Sequence, residues 1–179
     1  MYPAQYIAYY FIKLSVDDND CTLTPMKLQK LLYFAHGFYL TRFSKSLIYE
    51  VFYAWKFGPV IGQIYHEFKN YGVTSIKDNP LFYGYHNSVA DYADKIIDPV
   101  TVTFLKSTWE NFKKFSAFEL STFTHAGISP WDMVTKPFQD DIANLPPSLL
   151  IPNPIIKAYF DTITSGLTSD NKDNLVASK

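Results

Sequence analysis

Four histidines, one cysteine and a cluster of three aspartates are the side chains from which this sequence could build chemistry. His66-Glu67 begins like the helical zinc motif HExxH, in which two imidazoles four residues apart share one face and the glutamate acts as base. The second ligand would fall at position 70, which is Asn70, so the motif is incomplete. Asp17-Asp18-Asn19-Asp20 has the carboxylate density of a calcium loop. It lacks the turn glycine and the closing bidentate glutamate, and reads as a solvated loop. Cys21 is the single cysteine, which excludes a disulfide frame and a cysteine-rich metal site. Its acidic neighbours raise a thiol pKa and disfavour the thiolate a nucleophile needs. The phosphate-cradling patterns GxxxxGK[ST] and GxGxxG are absent, as is the nucleophile elbow GxSxG. Gly58-Pro59-Val60-Ile61-Gly62 reads as a turn entering a helix; its N–H groups could hold an anion, but Pro59 removes one donor. The expectation is a protein with no catalytic residues, no metal and no cofactor, whose work is binding.

Composition supports that class. Aromatic residues make up 18% of the 179 residues, with 14 Tyr, 15 Phe and 3 Trp. Either the core is rich in rings, or some of them lie on a surface that binds, where Tyr and Trp are favoured. The net charge of −1 argues against a nucleic-acid binder. Residues 24–72 nevertheless carry six basic side chains against two acidic ones, Glu50 and Glu67. That mildly basic stretch could meet an acidic partner or simply be solvated. The short helices expected over Ser116–Thr135 do not form a DNA-reading pair, because the segment has no Lys or Arg. No run is apolar for long enough to span a membrane, and no signal peptide is evident, so a cytoplasmic location is expected.

The elements that must position these residues centre on Leu23–Gly72. Thr24 is a helix cap with Pro25 in the first turn. From there Leu28, Leu31, Leu32, Ala35, Phe38 and Tyr39 fall within an arc of about 120°, the stripe of a core-facing helix. Lys27, Gln29, Lys30 and Tyr33 lie off that stripe, which marks Lys27, Lys30 and Tyr33 as candidates for a contact surface. Val51–Phe57 reads as a short strand in which Tyr53, Trp55 and Phe57 share one side; alternation alone does not say which side is wet. Trp55 and Phe57 join the candidate contact set. A second helix, with Val60, Ile64, Tyr65 and Phe68 in phase, ends at Tyr71-Gly72. It supplies His66.

Elsewhere a first helix spans Tyr2–Leu14, and Val73–Asp98 reads as loop with at most one strand. Asp98-Pro99 opens another helix, Ser116 and Glu119 form a capping box, and Ser129-Pro130 starts a short helix. Pro137–Pro154 wanders over the surface, and Pro154 begins a last helix. His125 and Trp131 flank the turn at Gly127. They could line a partner pocket, or His125 could bond a backbone carbonyl and lock the corner with Trp131 in the core. The fold expected is mainly α, a compact single helical domain over 1–164 with a small β element, followed by a flexible tail over 165–179.

The stretch MKLQKLLYFAHGFYL, then AWKFGPV, IYHEFKNYG, FELSTFTHAGISPW and IPNPIIKAYF, resembles in that order the signature of the Panacea domain, the SocA-like antitoxin family that also includes GepA-like phage-associated proteins. The resemblance covers roughly residues 4–162. It implies an antitoxin that neutralises a cognate protein toxin by direct binding, with no class of toxin implied. It is also compatible with an adaptor delivering the toxin to a protease, or with a phage or mobile-element protein acting on a host target. Neither DNA binding nor a membrane role is implied, and the oligomeric state is open.

Overall fold

A helix surrounded on every side organises the molecule. The computed structural model describes residues 1–18, 21–76 and 95–176, with side chains through residue 166. The central helix, α2 (Pro25–Phe43), packs against α1 (Ala4–Asp17), α4 (Pro99–Phe112), α5 (Ala117–Thr124), α7 (Asn153–Val176) and a small sheet. Thr24 caps α2, its hydroxyl accepting from the Lys27 N–H at 3.3 Å, and Pro25 occupies the first turn as expected. The helix ends at Ser44, whose φ of 52° lets its N–H reach the Leu40 carbonyl.

The expected stripe of α2 is buried, apart from a half-buried Phe38, but so is the opposite face. Every residue from Lys27 to Gly37 is buried. This corrects the surface expected at Lys27, Lys30 and Tyr33. Tyr33 is a core ring, edge-on to Phe52 at 5.3 Å and to Phe160 at 5.7 Å. The two lysines are tolerated inside because backbone carbonyls take their ammonium groups, Lys113 O for Lys27 and Pro59 O for Lys30. α2 and α7 cross where Gly37 meets Phe160. A methyl group at Gly37 would sit 2.3–2.5 Å from three atoms of that ring, so only glycine permits the approach.

The sheet has three antiparallel strands in the order β2-β1-β3: β1 is Phe52–Trp55, β2 Gly58–Val60 and β3 Leu150–Ile151. Tyr53 pairs with Val60 and Phe52 with Ile151. The side of β1 facing the core is Phe52 and Ala54; Tyr53 and Trp55 are half-buried, and Phe57 is exposed. β3 lies inside the proline-rich stretch, where no strand was expected, because two residues suffice to complete the edge of β1 and carry little pattern. Val60 belongs to β2, so α3 (Gly62–Phe68) begins later than its periodicity suggested. A 3-10 turn, Lys69–Tyr71, and Gly72 at φ 56° close it.

Asp98 caps α4 by accepting from the Val100 and Thr101 N–H groups, and also accepts from the Tyr2 hydroxyl at 2.6 Å. Ser116 and Glu119 form the expected capping box on α5. Ser129 caps α6 (Pro130–Thr135). The expected strand or loop after Val73 falls mostly outside the described residues. α7 continues through Val176, past the boundary expected at 164.

Candidate partner-binding site

The hairpin of β1 and β2 is clasped by side chains at alternate carbonyls. The Trp131 indole N–H donates to Trp55 O at 2.8 Å, and the Ser121 hydroxyl to Phe57 O at 2.9 Å. The Lys30 ammonium donates to Pro59 O at 3.1 Å, and the Gln29 amide to Ile61 O at 3.2 Å. Gln29 also accepts from the Ile61 N–H at 2.9 Å, so its amide binds both polar groups of one residue. Four donors from α2, α5 and α6 therefore hold a segment of seven residues. The clasp gives these carbonyls side-chain partners and ties the hairpin to α2, α5 and α6.

Gly58 lets the clasp close. Its φ is 98°, and a Cβ there would lie 2.4 Å from Thr124 Oγ1 and 2.7 Å from Lys30 Nζ. Lys30 is 1% exposed and has no ion pair among the described residues; burial pulls its pKa down to about 7. Next to it, the His125 Nδ1–H donates to Ser121 O at 2.6 Å, and its ring packs edge-on against Trp131 at 4.0 Å. Burial moves the His125 pKa below its ordinary value, so the ring is neutral at pH 7. His125 and Trp131 thus lock the corner beneath the hairpin.

The outer side of the clasped segment is open. Phe57 is 61% exposed at the hairpin turn, with the Lys56 ammonium 5.5 Å from its ring centroid. Trp55 stacks edge-on against Tyr65 at 4.8 Å and donates its indole N–H to Pro147 O at 3.0 Å. A cleft of about 470 Å³ runs between the first turn of α2, the hairpin turn and α3. Its apolar wall comes from Met26, Trp55, Phe57, Val60 and Tyr65. Lys30, Lys56 and Lys69 also line it, and among the described residues no acidic one does.

The structure brings Lys30, Trp55, Phe57, His125 and Trp131 together around this hairpin. Lys30, His125 and Trp131 hold it from inside; Trp55 and Phe57 face the cleft or solvent. His66 is exposed beside Tyr65, its ring 5.4 Å from that tyrosine. Lys27 and Tyr33 lie apart from the cleft, in the core. Gln29, Tyr65 and Ser121 escaped the sequence reading. Gln29 lies off the expected stripe of α2, Tyr65 was expected in a core stripe, and nothing in Ser121's local sequence reports a bond to a residue 64 positions away. Cys21 is buried; burial and then Asp18 raise its thiol pKa, as its neighbours suggested. Among the described residues no three His, Cys, Asp or Glu side chains group as metal ligands, and no helix is long and apolar enough to cross a membrane.

The molecule is a mainly helical domain whose central helix packs against a small antiparallel sheet. The family described as antitoxin SocA-like, Panacea domain, matches residues 28–132, and the chain belongs to that family. The matched region contains the whole clasp, from Gln29 to Trp131. Antitoxin SocA of Caulobacter vibrioides (strain NA1000 / CB15N) is 31% identical over 121 residues, 65% of this chain and 62% of the relative. The chain thus aligns with a little under two thirds of that relative's length. No solved structure gives a significant match.

Proposed function

We propose that this protein is an antitoxin that neutralises a partner toxin by direct contact, through the hairpin turn at Lys56-Phe57 and the adjoining cleft. Family membership supports the antitoxin role, and the clasped hairpin supports the mode. An exposed ring on a backbone already fixed by four donors loses little entropy on binding, which is the property of an interface anchor. The protein performs no reaction in this reading; occupying the toxin's surface is sufficient.

The test is growth of cells expressing the toxic product of the neighbouring gene, with and without this chain, while the toxin level is followed. Restored growth with an undiminished toxin level supports direct occlusion. Restored growth with loss of the toxin identifies delivery to a protease instead. Failure to restore growth removes the antitoxin assignment.

A further inference from the structure

We infer that the cleft between α2, the hairpin turn and α3 receives an acidic segment of the partner protein that carries a large apolar side chain between its carboxylates. The inference rests on the antitoxin reading for the existence of a partner, and adds what part of that partner docks.

Size and lining come first. About 470 Å³ accommodates one or two large side chains of an inserted segment, and the wall is apolar at Met26, Val60, Trp55 and Tyr65. Two of these side chains are fixed in place. Trp55 is anchored to Pro147 O at 3.0 Å and braced by Tyr65 at 4.8 Å, so the wall need not reorganise to receive a guest.

Charge selects the flanks of that guest. Lys56 and Lys69 are exposed, and among the described residues no Asp or Glu lines the cleft. Pro25 and Met26 bring the N-terminal, positive end of a 19-residue helix to the same place. The acid nearest in sequence, Glu67, is turned toward α1, where its carboxylate accepts from the Tyr9 hydroxyl and the Gln5 amide. A chain with a net charge of −1 therefore presents a positive, ring-lined cleft, complementary to carboxylates flanking an apolar residue. A nucleic acid fits less well, since two exposed lysines neutralise few phosphates and the rest of the lining is mostly apolar.

The test uses the full chain and fluorescein-labelled probes read by anisotropy. The probes are a short peptide of alternating Glu and Asp with a central Phe, the same peptide with a central Ala, its all-lysine counterpart with Phe, and an oligo-dT strand. The acidic Phe peptide is expected to bind about tenfold or more tighter than each of the others. Lys56→Glu with Lys69→Glu is expected to weaken it about tenfold, and Tyr65→Ala to weaken it without altering its salt dependence. Lys106→Glu with Lys136→Glu, an equal charge change at two exposed sites outside the cleft, is expected to leave it unchanged. Equal binding of acidic and lysine peptides, preference for oligo-dT, or equal loss in the two charge-reversed pairs would overturn the proposal. The two readings fail separately: peptide binding without growth rescue removes the antitoxin role and keeps the cleft, whereas rescue without peptide binding does the reverse.

Discussion

Lys30 and Pro59 are joined by a hydrogen bond of 3.1 Å between a buried ammonium and a strand carbonyl, with no carboxylate paired to the lysine among the described residues. The bond ties the central helix to the hairpin, and the fold accepts a desolvated cation to make it. Removing a cation from water is costly unless donors and acceptors are satisfied, so this contact trades stability for a fixed hairpin.

That trade has a pH signature. Lysine ordinarily titrates near 10.5 and Lys30 is pulled down to about 7. Between those values the unfolded chain holds a proton that the folded chain has shed, so stability rises with pH across the window, by at most about 1.4 kcal/mol per pH unit. Urea unfolding between pH 7 and 9 should show the rise. It should be shallower in Lys30→Met, with a residual slope of the same sign from Lys27, which burial also lowers. An unchanged slope in Lys30→Met would place the charge elsewhere.

His36 adds an acid limb of the same sign at lower pH. Its Nδ1 accepts from the Ile48 N–H at 3.3 Å, so Nε2 carries the proton and donates to Asn153 at 3.1 Å. Burial holds its pKa at about 4 against an ordinary 6.5. Between these values the unfolded chain binds more protons, and stability falls as pH drops from about 6.5 toward 4. His36→Leu should cost about 1–3 kcal/mol at pH 7, from the groups left unpaired, and should flatten this acid limb in urea titrations.

Tyr33 offers a stabilising change. Its ring is enclosed by aromatic neighbours, but its buried hydroxyl has no hydrogen-bond partner among the described residues. Tyr33→Phe keeps the rings and removes the unsatisfied group, and should raise stability by about 1 kcal/mol in thermal or urea unfolding. A loss of stability would mean that the hydroxyl is satisfied in solution.

The Gly37–Phe160 contact should behave as a coupled pair. Gly37→Ala forces a methyl into the ring and should cost about 2–3 kcal/mol. Phe160→Leu makes room, so the double variant should cost less than the sum of the single ones in a double-mutant cycle. Strict additivity would contradict the packing described.

Caps and periodicity were legible in the sequence because both are local: Thr24, Asp98, Ser116 and Ser129 each act within a few residues of themselves. The apolar stripe of α2 was legible for the same reason. Its second buried face was not, because Lys27, Gln29 and Lys30 read as lying off the core until the carbonyls that receive them are known, and those belong to residues 113, 61 and 59. The hairpin was visible as an aromatic run, but which rings are wet depends on what covers each face. Phe57 and Trp55 reach the cleft; Tyr33 does not, since five packed elements close around α2. Sequence therefore located the central helix and the hairpin and misplaced which of their side chains are exposed.

Phe57 carries the central claim, because it is exposed at the turn of a hairpin whose backbone is held from inside. The decisive measurement is growth rescue by Phe57→Ala set beside Ile128→Ala, which removes another exposed apolar side chain, 80% exposed and outside the cleft. Both variants should unfold within about 0.5 kcal/mol of the parent protein. The account predicts that Phe57→Ala loses rescue while Ile128→Ala keeps it. Full rescue by a folded Phe57→Ala would contradict it and move the neutralising surface away from the hairpin.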